Sequence, residues 1–284
     1  PAPNAGPFTI NNTLPTAGTN FASFTAAINW LNSACINNPI VFNVSAGQTF
    51  NENPPAILAT GTAVNTITFQ KSGVGANPVI TPTGTAGTAD FGLCVWGGDF
   101  FTFDGVDING SAVSAVEYGY LLRNLTATDG AQNNTVKNCA IALNRTNTTS
   151  RAILQTSTTT GGGVTPTSAA GANSTNKYYN LNVQNVYAGV YLLGTAAFPD
   201  LNCEVGTTAG GTTTIGGATA NDIGNSTSQT WGIRAGNQSG VKIFNAEVRN
   251  VGSTTTTDGV FLELAQGTSE VYNLVVHDVR GTST

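Results

Sequence analysis

Val241-Lys242-Ile243-Phe244-Asn245-Ala246-Glu247-Val248-Arg249-Asn250-Val251 aligns without a gap onto Ser269-Glu270-Val271-Tyr272-Asn273-Leu274-Val275-Val276-His277-Asp278-Val279, at a spacing of 28 residues. The same frame fits Tyr178 to Val186, Ile215 to Ile223, Val136 to Ile141 and Phe103 to Ile108. Each copy is a short β run with alternating apolar positions that ends in a turn residue. A period of this length marks a solenoid, in which no repeat can bury its inner face without its neighbours. The expected fold is all-β: a right-handed parallel β-helix with three parallel sheets around a narrow core.

Two polar columns recur in that frame. Asn138, Asn180, Asn245 and Asn273, with Gly105 and Gly217, fall at one corner, and Asn185, Asp222, Asn250 and Asp278 at another. Inward asparagines at such a corner would satisfy backbone groups that the turn leaves unpaired, so this ladder reads as structural. A second strand follows each first one, and alternation places Tyr120, Ile153, Val190, Ile233 and Val260 inside. Leu121, Leu154, Tyr191, Arg234 and Phe261 then form an outward column, the best candidate surface for a ligand or partner. Coil lengths vary, so loops such as the Thr/Gly tracts Thr156 to Thr175 and Thr207 to Thr214 leave the corners.

Composition narrows the class. Of 284 residues only 9 % are charged and 40 % are hydrophobic, which excludes a solvated disordered chain. A formal net charge of −5 without a basic run gives no footprint for nucleic acid. No 18-residue apolar stretch exists to span a membrane as a helix. The start Pro1-Ala2-Pro3-Asn4-Ala5 reads as a processed mature end. The end, Arg280-Gly281-Thr282-Ser283-Thr284, follows a strand directly, as in a fragment of a longer protein. Cys35, Cys94, Cys139 and Cys203 show no metal spacing; they fit either two disulfides or, for Cys94 and Cys139, small buried hydrophobes. Asn-x-Ser/Thr sequons, Asn43, Asn124 and Asn147 among them, arise by chance in a chain so rich in Asn and Thr. The whole of 1–284 reads as one β-helix domain, with a first strand and capping helix in 1–37 and coils in 38–284. The helix is expected over Asn20 to Cys35, with Ser23 as N-cap and Phe24, Ala27, Ile28 and Leu31 on its apolar face.

Phe8-Thr9-Ile10, Gly18-Thr19-Asn20-Phe21 with that helix, Pro39 to Val44, Thr66 to Gly73, Asn77 to Ile80 and Phe101 to Ile108 together carry a family resemblance. Over roughly residues 8–110 the chain resembles the start of large secreted right-handed parallel β-helix proteins of Bacteroidota. That resemblance implies export by the type IX system and an adhesin-like place on the cell surface or outside the cell. The sorting domain usual at the C-terminus of that family has no counterpart here.

Residues for catalysis are sparse. The chain has neither the Gly-His-Gly nor the Arg-x-Lys of pectin hydrolases, and its single histidine, His277, aligns with the outward Arg249, Asn221 and Gln184. A lyase would need a base beside carboxylates that hold Ca²⁺ or a uronate. The one dense acidic group is Asp99, Asp104 and Asp107, which could hold Ca²⁺ but reads more simply as turn residues. No other cofactor is implied. Gly161-Gly162-Gly163 and Gly210-Gly211 precede no helix and are loops, not phosphate cradles. Ice binding would need regular Thr ranks, whereas the threonines crowd into loops. The expectation is a non-enzymatic β-helix module of a surface adhesin, binding polysaccharide, a cell-surface ligand or further copies of itself through loops and the apolar stripe. The alternatives are a polysaccharide lyase or other carbohydrate-active enzyme, and a subunit of an extracellular filament.

Overall fold

In the computed structural model residues 6–85, 89–159, 162–224 and 228–281 are described. The expectations for Pro1 to Ala5, for Thr282 to Thr284 and for Gly161 lie outside them. The chain is a right-handed parallel β-helix of three stacked sheets. The first contains Phe8–Ile10, Ile40–Ser45, Ile67–Ser72, Phe101–Asp104, Thr135–Lys137, Lys177–Tyr179 and Glu204–Val205; the second contains Thr49–Phe50, Val79–Ile80, Asp107–Asn109, Ala140–Ala142, Asn182–Gln184 and Thr213–Ile215. The two strands Lys242–Ser253 and Glu270–Gly281 run through both sheets without a break. Phe91–Trp96, Tyr118–Arg123, Arg151–Thr156, Ala188–Leu193, Thr230–Gly236 and Thr257–Glu263 form the third sheet, every neighbour parallel.

The repeat asparagines make the bends. Asn138, Asn180, Asn245 and Asn273 have φ of 58°, 52°, 50° and 50°, the left-handed conformation that asparagine tolerates better than other side chains. Their side chains do not point inward as expected. They stand on the solvent side of the corner, where Asn180 Nδ2 donates to Asn138 Oδ1 at 3.1 Å, Asn138 Nδ2 to Asp104 Oδ1 at 2.6 Å, and Asn273 Nδ2 to Asn245 Oδ1. A left-handed residue turns its Cβ out of the strand alternation, so the ladder forms on the rim. Between Asn180 and Asn245 it is interrupted, and Asn245 Nδ2 donates instead to the Thr207 carbonyl at 2.5 Å.

Columns of like residues fill the core. Phe42, Phe69 and Phe103 stack with centroids 4.5 and 5.6 Å apart. Tyr120, Ile153, Val190, Ile233 and Val260 lie in register on the inner face of the third sheet. Near the start of each third-sheet strand Gly92, Gly119, Gly189, Gly232 and Gly259, with Ala152, bring that sheet against the second. A Cβ on Gly189 would lie 2.2 Å from the Gly232 carbonyl oxygen and 2.6 Å from Ile215 Cγ2.

One inner column carries a polar residue, Gln155, between Leu122 and Leu192. Gln155 Nε2 donates to Asp200 Oδ2 at 2.6 Å, and its Oε1 accepts from Tyr178 Oη at 2.8 Å and Asn176 Nδ2 at 3.0 Å. Asp200 Oδ1 accepts from Asn173 N at 2.8 Å, and Asp200 Oδ2 also from Gln238 Nε2 at 3.1 Å. The carboxylate is fully buried, and burial pushes its pKa up to about 6.

The helix, α1, spans Phe24–Ser33, later than expected, because Asn20–Phe21 is a strand paired with Phe8–Ile10. Ser23 Oγ accepts from Ala26 N at 3.0 Å, and the Glu52 carboxylate accepts from Phe24 N and Thr25 N, each at 2.8 Å. Phe24, Ala27, Ile28 and Leu31 are buried and cover the first coils, with Phe24 edge-on to Phe50 at 5.0 Å. None of the four cysteines forms a disulfide; Cys94, Cys139 and Cys203 are buried and Cys35 is exposed. The tract after Thr156 opens with a hairpin, Thr158–Thr159 antiparallel to Gly162–Gly163, where a plain loop was expected.

Candidate functional site

Strand alternation sends every second side chain of the third sheet outward, and register stacks them into columns. One is the expected column: Leu121 pairs with Leu154, Leu154 with Tyr191, Tyr191 with Arg234, and Arg234 with Phe261. It is not an exposed apolar stripe. Leu121, Leu154 and Tyr191 are 2 %, 7 % and 1 % exposed. With Cys94, Tyr187 and Ala188 they form a second apolar cluster, separate from the core and packed by Phe91, Tyr118, Leu193 and Trp231. Large neighbours on the same face cover the leucines, and only Arg234 and Phe261 of the column remain partly open.

Lying over this cluster are cations on aromatic rings. The Arg123 guanidinium lies 4.7 Å from the Trp96 ring centroid, and Arg151 lies 4.9 Å from that of Tyr191. Arg234 faces three rings, Trp231 at 4.7 Å, Tyr191 at 5.7 Å and Phe261 at 5.9 Å, and is paired with Glu263 at 2.5 Å. Such contacts hold an arginine flat while leaving its edge available. Nε of Arg123, Arg151 and Arg234 and Nε1 of Trp96 and Trp231 are buried donors without a hydrogen-bond partner. Buried donors in that state cost free energy and cannot themselves meet a ligand; what the partly exposed arginines offer one is charge and their outer guanidinium nitrogens. Burial raises the Tyr191 hydroxyl above the usual tyrosine range despite Arg151 and Arg234 beside it, so it stays protonated near neutral pH.

A groove of about 500 Å³ opens on this face, lined by Phe91, Cys94, Trp96 and Arg123 and bordered by Thr159 and Gly162 of the hairpin. Cys94 on its wall is not a nucleophile, since burial pushes the thiol up to about 12. Trp96, Arg151 and Trp231 were not singled out from the sequence. Extending the register of the column by two residues on each strand would have found Trp96 and Arg123.

The acidic trio does not assemble. Asp104 pairs with Lys137 at 3.1 Å and accepts from Asn138. Asp107 accepts from Ala140 N at 2.7 Å and Asn77 Nδ2 at 2.8 Å, and Asp99 from Gln132 N at 2.7 Å. Each carboxylate closes its own corner, and the described residues contain no group of three or more His, Cys, Asp or Glu able to hold a metal. Burial pushes Asp99 up to about 6, with the Asp129 charge adding to it, and burial raises Asp107 as well. His277 lies between Glu247 Oε1 at 3.0 Å and Asp278 Oδ2 at 2.8 Å on an exposed rim.

No protein-family model matches the chain, and no curated protein does. Among solved structures it is similar to an alginate lyase from Paenibacillus sp. str. FPU-7, at 14 % identity and a TM-score of 0.38, covering 87 % of this chain and 97 % of that one. It is also similar to an iota-carrageenase complexed to iota-carrageenan fragments, at 14 % identity and a TM-score of 0.43. That match covers 90 % of this chain and 59 % of the carrageenase, so the chain spans less than two thirds of that enzyme. The expectation of a non-enzymatic adhesin module is corrected on these findings. Both similar structures are carbohydrate-active enzymes, and the apolar stripe meant to do the binding is covered. The likeness is one of fold, and the named activities belong to those two proteins.

Proposed function

We propose that this β-helix is a carbohydrate-active protein that takes an acidic polysaccharide along the outer face of its third sheet. The observation that carries the reading is the set of partly exposed arginines Arg123, Arg151 and Arg234, laid on aromatic rings on one sheet face, with Arg123 lining an open groove. Carboxylate or sulfate groups accept from guanidinium edges in short charge-assisted bonds, and aromatic faces stack against the C–H faces of sugar rings. Neutralising a uronate carboxylate is also what a lyase must do before a proton can leave the adjacent carbon. Here Arg123, on the groove wall, would neutralise the carboxylate, and Tyr191, buried and protonated, supplies no base. A substrate of this kind lies outside the cell. Secretion as type IX cargo of a Bacteroidota organism is part of the same proposal and is supported by the resemblance of residues 8–110.

The test is incubation with acidic and neutral polysaccharides, following reducing ends, the absorbance of unsaturated products and binding by affinity electrophoresis. Depolymerisation of an acidic polymer, with affinity reduced about tenfold or more in Arg123→Ala or Arg234→Ala, is the expected result, since a charge-assisted hydrogen bond contributes about 1.5–3 kcal/mol. Folded protein that neither binds nor cleaves any acidic polymer at low salt would end this reading.

A further inference from the structure

The outer face of the first sheet holds a second site of different chemistry. Its outward columns follow the pairings Lys177 with Glu204, Glu204 with Lys242, and Lys242 with Glu270. The column beside it runs Tyr179, Gly206, Phe244, Tyr272. Phe244 and Tyr272 stack with centroids 5.0 Å apart and planes 10° from parallel, one ring per coil. Gly206 leaves out a rung between Tyr179 and Phe244. Its φ is 122°, and a Cβ there would lie 1.7 Å from the Phe244 carbonyl oxygen, so no side chain fills the position. A cavity of about 390 Å³ results, lined by Tyr179, Gly206, Phe244 and Tyr272 with Lys177, Glu204 and Lys242 and with Thr207 and Thr208 at its lip.

We propose that this cavity over Gly206 is a subsite for one uncharged sugar ring of a polysaccharide, laid against Tyr179, with the buried Phe244 closing one end. The polar wall selects the same class. Lys177 pairs with Glu204 at 3.1 Å and Lys242 with Glu270 at 3.4 Å, so the wall offers donors and acceptors without net charge. Hydroxyls, which both donate and accept, match that wall; a fixed anion gains little from it. The volume falls within the range of small-molecule sites. This inference stands on observations separate from the arginine face and does not depend on the reading given to that face.

The experiment is calorimetric titration of the whole chain with a panel of neutral gluco-, manno-, xylo- and galacto-oligosaccharides and, in parallel, uronate and sulfated oligosaccharides. At least one neutral oligosaccharide should bind, and Tyr179→Ala should weaken it about tenfold or more while leaving acidic ligands unchanged. Arg123→Ala should do the reverse, which separates failure of this site from failure of the arginine face. Should Tyr179→Ala unfold the coil, Thr208→Trp on the exposed lip must reproduce the loss by closing the mouth. No neutral ligand bound at millimolar concentration, or binding indifferent to both variants, would overturn the assignment.

Discussion

Mild acid should stabilise this protein, and Asp200 is the main reason. Its carboxylate is fully buried and accepts three hydrogen bonds, from Asn173 N, Gln155 Nε2 and Gln238 Nε2, but no cation touches it. Its pKa rises from 3.8 to about 6. The folded state therefore binds the proton more tightly than the unfolded chain does. That contribution is fully present below pH about 4, and it is lost as the pH climbs through 6. A shift of about two units corresponds to about 3 kcal/mol. For a chain of this length that is about 5 °C in Tm. The site is built to take the proton: Gln238 Oε1 is buried without a partner, and turning that amide over would let it accept from a protonated Asp200. Urea unfolding followed by fluorescence at pH 4.5, 5.5, 6.5 and 7.5 gives the profile, with Asp200→Asn as the variant that cannot titrate. Across the series the wild type should lose about 2 kcal/mol more than Asp200→Asn. Parallel profiles for the two proteins would refute the reasoning, because the difference between them isolates this group from Asp99 and Asp107, which are also raised.

Gly189→Ala would set a methyl 2.2 Å from the Gly232 carbonyl oxygen and should cost about 1–3 kcal/mol, read from the urea midpoint; Gly189→Val should be worse. Asn180→Ala at φ 52° should lose about 1–2 kcal/mol, and Asn180→Gly should recover most of it; equal stability of the two variants would show that the left-handed bend is not what Asn180 supplies. Treating native protein with a thiol reagent should label one cysteine, Cys35, on mass spectrometry, and unfolded protein all four, because burial pushes Cys94, Cys139 and Cys203 up to about 12. Rapid labelling of Cys94 in the folded chain would mean that the groove wall opens.

Much of the fold was legible because a solenoid writes its packing into its period. The gapless match of 241–251 to 269–279 became the register of the last two coils, and Tyr120, Ile153, Val190, Ile233 and Val260 line the interior in the order read from the strands. The apolar face of α1 was equally plain from its spacing. Period, however, tells which way a side chain leaves the strand and not what lies on top of it. Leu121 and Leu154 do leave outward, and their neighbours in flanking columns bury them. The asparagines were placed at the right corner but on the wrong side of it, since a left-handed φ breaks the alternation on which the inward reading relied. Asp200 gave no signal, because its strand, Asp200–Leu201, is two residues long and its partners come from Gln155, Asn173 and Gln238, far away in sequence. The candidate site suffered similarly. Its cations and rings lie in three adjacent columns, and only one of the three was followed.

The two unbroken strands near the C-terminal end also set how the protein would come apart under load. In most coils the chain leaves one sheet and enters the next through a separate turn, so each strand can detach alone. Lys242–Ser253 and Glu270–Gly281 pair along nearly their whole length across two sheets. Force applied along Glu270–Gly281 must therefore shear or unzip both sheets together, and its release would lengthen the chain by one whole 28-residue coil, about 95 Å at full extension. A force trace from this end should open with that one large step. Farther in, where coils carry loops of different length and separate strands, the steps should become smaller and uneven.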